Sequence, residues 1–261
     1  MTQPETPDVS QMSLGDHLDE LRARLIRALI AVAIGLAVCL VFGMHIVKFL
    51  SQPVFSAMAA AGFDDPKMLA RQLHEPFVAY IRVSLISGFV LASPYVLWEF
   101  WQFVAVGLYK HERRYVKIFA PVTVALFLAG TAFAYFLAVR VGLQFLAGFA
   151  VKLNEMGMSI DFKPVIDDSL NLIIGFSVIM GLVFQLPIVV IFLSILGIVE
   201  VNGLKKFRRY FILLAFIVGA VLTPPDPVTQ IMMALPLVVL YEVGLRVAVL
   251  IERRHTRKLA G

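Results

Sequence analysis

Between Ser169 and Val199 the chain runs for 31 residues without a charged side chain. As a single helix that stretch would reach roughly 47 Å at 1.5 Å per residue, longer than the hydrocarbon core of a bilayer is thick. It must therefore tilt, bend or protrude, and Pro187 supplies a place to bend. Comparable apolar stretches recur along the chain, which reads as spans at 28–44, 77–104, 117–139, 169–197, 209–223 and 228–245. The composition agrees. With 60% hydrophobic and 16% charged residues and a mean hydropathy of +0.86, an ordinary soluble domain is excluded. The expected fold is a single all-α, polytopic membrane domain over residues 1–261.

The charged stretches between the spans set their sidedness. Leu108-Tyr109-Lys110-His111-Glu112-Arg113-Arg114 is wedged between two apolar runs and reads as the loop joining spans two and three on the positive, cytoplasmic side. Its one acid, Glu112, is flanked by His111 and Arg113. A carboxylate so placed is either neutralised by its neighbours or held ready for a cationic guest. Residues 12–27 form a helical foot below span one. Ser13-Leu14-Gly15-Asp16 fits a capping box, and the acids Asp16, Asp19 and Glu20 precede Arg22, Arg24 and Arg27, as the helix dipole favours. Of the 23 Lys and Arg residues, sixteen fall in this foot, in 110–117, in 205–209 and in the tail 246–261. The remaining seven lie on the other side. That bias predicts six crossings with both termini cytoplasmic.

The segments on the outer face are too broken for spans and too apolar for plain loops. His45–Asp65 is interrupted by Pro53 and Gly62, and residues 142–168 by Asn154, Gly157 and Pro164; both read as outer caps. In span two, Pro94 predicts a kink and Arg82 near the outer end is expected to snorkel, while Trp98, Phe100, Trp101 and Phe103 mark the inner interface. In span four, the amide of Gln185 either bonds to carbonyls freed by Pro187 or has a functional role. The last two apolar runs, Tyr210–Thr223 and Val228–Tyr241, are short for a bilayer and are joined by Thr223-Pro224-Pro225-Asp226-Pro227. Thr223 and Gln230 bracket that turn. They either cap its two helices or offer polar groups to a partner's transmembrane helix.

Several chemistries are excluded by what the chain lacks. It contains no phosphate loop, dinucleotide turn, zinc spacing among its five histidines or nucleophile elbow, so neither catalysis nor a cofactor is expected. The single Cys39 permits no internal disulfide and reads as a small buried hydrophobe. The net charge of +5 follows topology, so no nucleic acid partner is expected. The segment up to Gln11 has no Lys or Arg, hence no basic start of a cleaved signal peptide. A secondary transporter or channel for a small solute is the alternative reading, but corresponding broken helices in two repeated halves are not evident.

Four motifs carry a resemblance. His17-Leu18-Asp19-Glu20-Leu21-Arg22-Ala23-Arg24-Leu25, the run Phe103 to Arg114, Ala132-Phe133-Ala134-Tyr135-Phe136 and Leu222-Thr223-Pro224-Pro225-Asp226 resemble the TatC family in order along nearly the whole chain. TatC is the multispanning receptor subunit of the twin-arginine protein translocase. The resemblance implies export of folded proteins across the inner membrane, driven by the proton gradient, with TatA- and TatB-like single-span partners and other copies of the chain. It also implies short fifth and sixth helices. By motif match, Glu20, Arg22, Phe103 and Glu112 would bind the signal peptide, and Pro53, Tyr135 and Asp226 would be structurally sensitive. Two positions depart from the family pattern: Val106 stands where a proline is frequent, and Gln185 where an acid is common.

Glu20 and Glu112 together are expected to bind the consecutive arginines of an export signal. A guanidinium's planar donor fork grips a carboxylate bidentately, which an ammonium cannot reproduce. Glu20 has a competitor, because Arg24 lies one turn on and an i, i+4 pair is worth roughly 0.2–0.5 kcal/mol.

Overall fold

A backbone inside lipid must satisfy its own hydrogen bonds, and apolar runs of this length do so as helices. The structure is a computed structural model that describes residues 14–63, 65–108, 113–158, 162–222 and 226–259. It is all-helical: α1 (Leu14–Val41), α2 (Gly43–Ala60), α3 (Glu75–Val106), α4 (Arg113–Phe133), α5 (Arg140–Glu155), α6 (Ile166–Val183), α7 (Leu186–Ile195), α8 (Val201–Leu222) and α9 (Pro227–Leu259). Among the described residues the extended structure is one isolated bridge, where Leu69 N–H donates to Pro164 O and Ile166 N–H to Leu69 O, each at 2.9 Å. The capping serine, Ser13, lies outside the described residues.

Consecutive long helices run antiparallel, as residue pairs show. Tyr80 near the start of α3 donates to Leu40 O near the end of α1, whereas Arg24 near the start of α1 meets Glu99 near the end of α3. Trp101 of α3 donates to Thr123 of α4 at 2.8 Å. Backbones approach closely where side chains are smallest: a Cβ on Gly130 of α4 would stand 2.5 Å from Met180 O of α6. Such small-residue contacts hold helices together in lipid, where apolar side chains gain little by mutual burial. The largest buried cluster gathers Ala134, Tyr135, Ile173, Met180, Met233 and Tyr241 from the second half of the bundle. α1 packs mainly on α3 and leaves Leu25, Leu29, Ile30 and Ile34 exposed, a surface suited to lipid.

One expectation, the shortness of the last helix, is corrected, and two others gain detail. The helix of the third span and the first part of the outer cap segment are continuous: from Arg113 the chain passes through a π-helical segment, Ala134–Val139, into α5, so that 113–155 is one helical stretch. A charge can end a helix's passage through lipid without disturbing its backbone bonds. Near the outer end of α3, Arg82 has a partner: its Nη1 pairs with Asp167 Oδ1 of α6 at 2.8 Å, beside a second pair, Arg71 to Asp168, at 2.7 Å. The last helix is not short, since α9 continues through Glu242, which Arg208 and Arg246 neutralise at 3.0 and 3.4 Å.

Among the described residues, five helical stretches are long and apolar enough to cross a membrane: His17–Val41, Glu75–Val106, Arg113–Glu155, Ile166–Ile195 and Pro227–Glu252. α8 is not one of them, because Lys205, Lys206, Arg208 and Arg209 occupy its first half.

Candidate functional site

The first turns of α1 carry His17, Glu20 and Arg24, spaced to share one face of the helix. The last turns of α3 carry Glu99 and Phe103, again one turn apart. Antiparallel packing sets these two faces against each other. The His17 and Phe103 rings lie 4.7 Å apart at 31°. Arg24 bridges two carboxylates, with Nη2 2.5 Å from Glu20 Oε1 and Nη1 3.0 Å from Glu99 Oε2. Arg27 also approaches Glu99 Oε2, at 3.5 Å. The Glu20 side chain is 32% exposed and that of Glu99 only 7%. The expected pairing of Glu20 with Arg24 is therefore present, and it is part of a larger charged group.

Glu99 is the residue that sequence reasoning missed. It was hidden between Trp98 and Phe100 in a stretch read as an aromatic interface. A signal was available, because a carboxylate alone in the apolar stretch after Arg82 must find a cation or a wet cavity. Its cationic partners, Arg24 and Arg27, stand on another helix.

The other sequence-derived positions distribute as follows. Arg22 is exposed on α1. Glu112 lies outside the described residues, but both flanks of its loop are placed: Arg113 Nε donates to Leu108 O at 3.4 Å, and a Cβ on Gly107 would come within 3.9 Å of His17 Cε1. The loop thus departs from beside the α1 foot.

Gln185 sits at the break between α6 and α7. Its backbone N–H turns to Leu182 O at 3.0 Å, leaving Gly181 O without the bond expected from four residues on. The side chain takes over: Nε2 donates to Gly181 O and to Thr123 O of α4, each at 3.2 Å. Thr123 Oγ1 accepts from Trp101 Nε1, so polar groups link α3, α4 and the α6/α7 break. Gln185 Oε1 is buried without a partner among the described residues.

At the hairpin, Thr223 lies outside the described residues. Asp226 caps α9, its Oδ1 accepting from Thr229 N–H at 2.8 Å, with Pro227 at the first helical position. Gln230 Nε2 donates to Phe216 O of α8 at 3.1 Å. Pro53 is buried within α2. Tyr135, in the π-helical segment, donates to Phe49 O of α2 at 2.6 Å and stacks on the Phe49 ring at 4.6 Å. Among the described residues no three His, Cys, Asp or Glu side chains gather as a metal-binding group.

Comparison with known proteins places this arrangement in a family. The family described as TatC, Sec-independent protein translocase protein, matches residues 16–236. A Sec-independent protein translocase protein TatC from Desulforapulum autotrophicum is 39% identical over 88% of this chain and 82% of its own length. One from Koribacter versatilis is 37% identical over 95% of this chain and 89% of its own. A crystal structure described as the twin arginine translocase receptor TatC matches with a TM-score of 0.75 and 32% identity, covering 90% of this chain and 98% of that one. With several helices fit to cross a membrane and these relatives along almost its entire length, the chain belongs to the TatC family of Sec-independent protein translocases.

Proposed function

We propose that this chain is the receptor and core subunit of a translocase that exports folded proteins bearing twin-arginine signals across the bacterial inner membrane, powered by the proton-motive force. It crosses six times with both termini cytoplasmic, α8 serving as a further crossing through locally thinned bilayer, with bends in the second and fourth spans and caps on the outer face. It works by binding and assembly and performs no catalysis. Its partners are the signal peptide, TatA- and TatB-like single-span proteins, further copies of the chain and membrane lipid.

The single observation that carries this reading is the group of Glu20, His17 and Phe103 at the junction of α1 and α3, beside the departing loop that holds Glu112. Carboxylates there take the signal's guanidinium groups, Phe103 offers an aromatic face to its apolar residues, and Arg22 belongs to the rim. Thr223 and Gln230 dock a partner helix, Gln185 is the intramembrane polar group, and Pro53, Tyr135 and Asp226 keep the frame. Charge-assisted contacts contribute on the order of 1.5–3 kcal/mol. Glu20→Ala or Glu112→Ala is therefore expected to weaken precursor binding roughly ten- to a hundredfold in membranes matched for abundance. A twin-lysine precursor should bind poorly to the unaltered protein. Unchanged affinity in both single variants and the double variant would remove the reading, as would a chain that binds no precursor and instead moves a solute.

A further inference from the structure

Arg24 already occupies the kind of position a signal arginine would take. Its guanidinium lies between the carboxylates of Glu20 and Glu99, with one terminal nitrogen on each. Its Nε is buried without a partner among the described residues. We propose that Glu20 and Glu99 form a guanidinium-binding slot filled in the resting protein by the chain's own Arg24, and that Glu99 retains Arg24 when a signal arginine takes its place on Glu20. This inference rests on the reading that Glu20 binds the signal.

The charges make the exchange cheap. A carboxylate held by one partner alone would leave that partner unpaired when a guest arrived, and an unpaired charge this close to lipid is costly. Here Arg24 has a second carboxylate within 3.0 Å, almost fully buried and fixed on a different helix. Giving up Glu20 leaves Arg24 on Glu99, with Arg27 close by at 3.5 Å. Every charge remains paired before and after. The slot also sets the apparent affinity. Every guest must displace Arg24 from Glu20, a common cost that lowers the binding of all guests by the same factor, while the preference for arginine comes from the two donors its guanidinium can present to the freed carboxylate.

The experiment measures binding of twin-arginine and twin-lysine precursors to membranes containing the full chain at matched abundance. In E99Q, Arg24 has lost its alternative and holds Glu20 alone, so twin-arginine affinity should fall about tenfold, one charge-assisted contact's worth. In R24Q the slot is vacant. Twin-arginine affinity should equal or exceed that of the unaltered protein, and twin-lysine affinity should change by the same factor, because the competitor removed was common to both. The double variant R24Q/E99Q should recover to within about threefold of R24Q. Unchanged affinity in E99Q, or a double variant as weak as E99Q, overturns the proposal. If E99Q does not accumulate, R24Q decides: a twin-arginine affinity below that of the unaltered protein overturns it. E20Q separates the two levels. Binding lost in E20Q but unaffected in E99Q leaves the receptor reading standing and removes the slot, whereas unaffected binding in E20Q removes Glu20 from the receptor reading and the slot with it.

Discussion

Gly35 of α1 and Gly88 of α3 meet backbone to backbone. A Cβ on Gly88 would stand 2.7 Å from both the amide nitrogen and the Cα of Leu36, and one on Gly35 would stand 2.6 Å from Gly88 O. Real Cβ atoms do not approach backbone so closely, so these helices lie together only because both positions lack a side chain. The contact sits on the same helix pair that sets Arg24 against Glu99, and it fixes how far apart their charged faces stand.

Gly88→Val should therefore push α1 off α3. Overpacking of this kind costs about 1–3 kcal/mol, expected as a lower melting temperature in detergent together with weaker precursor binding. Gly148→Ala in α5 is the control, because a Cβ there meets nothing within 4 Å and alanine is the better helix former by roughly 0.5–1 kcal/mol. Identical melting of the Gly88→Val variant and the unaltered protein would show that the close approach is not required.

The cap on α9 makes a second prediction. Asp226 accepts from the Thr229 N–H and also from its hydroxyl, satisfying an orphan donor at a helix start where little water reaches. Asp226→Ala should destabilise the protein by about 1 kcal/mol, within the roughly 0.5–2 kcal/mol measured for lost caps. Asp226→Asn, which keeps an accepting oxygen, should retain most of that. Unfolding by denaturant in detergent compares the three, and equal stabilities would deny Asp226 its capping role.

The helical class was legible because an uncharged run such as Ser169–Val199 has one stable form in lipid. Helix ends were less so. Arg140 and Glu242 mark where apolar surface ends, but nothing in a charged side chain breaks a backbone ladder, and α5 and α9 continue past them. Tertiary pairing was not legible either. Arg82 finds Asp167 85 positions away and Arg24 finds Glu99 75 away, distances at which local spacing says nothing. Counting only basic residues, as sidedness requires, also let Glu99 pass. For Gln185 the need for partners was clear from Pro187, but their identity was not. Gly181 O becomes available because the Gln185 N–H has turned to Leu182 O, and Thr123 O is supplied by another helix.

Sidedness is testable with the chain's own chemistry. Cys39, the only cysteine, is buried and can be replaced by alanine to give a silent background. Single cysteines are then introduced at 112, 161 and 256. An impermeant maleimide applied to spheroplasts should label 161 and leave 112 and 256 unmodified until the membrane is opened. Labelling of 112 or 256 from outside with 161 protected would reverse the assignment drawn from the distribution of Lys and Arg.

The hairpin between α8 and α9 is the place expected to receive a partner's transmembrane helix. Capping of α9 is carried by Asp226, so Gln230 is not needed for that task. Its Nε2 instead reaches Phe216 O across the hairpin, where a Cβ on Gly219 would come within 3.1 Å of Gln230 O. An amide that donates in this way still carries an accepting oxygen, held in place by that bond to α8. A polar residue on a passing helix can bond to it, a contact worth about 0.6–2 kcal/mol in lipid. Photo-activated cross-linkers at 223 and 230 should trap a TatA- or TatB-like single-span protein. Gln230→Leu should lower co-purification of that partner roughly three- to thirtyfold while leaving melting close to that of the unaltered protein. Efficient cross-linkers that capture only lipid or another copy of this chain would end the docking assignment.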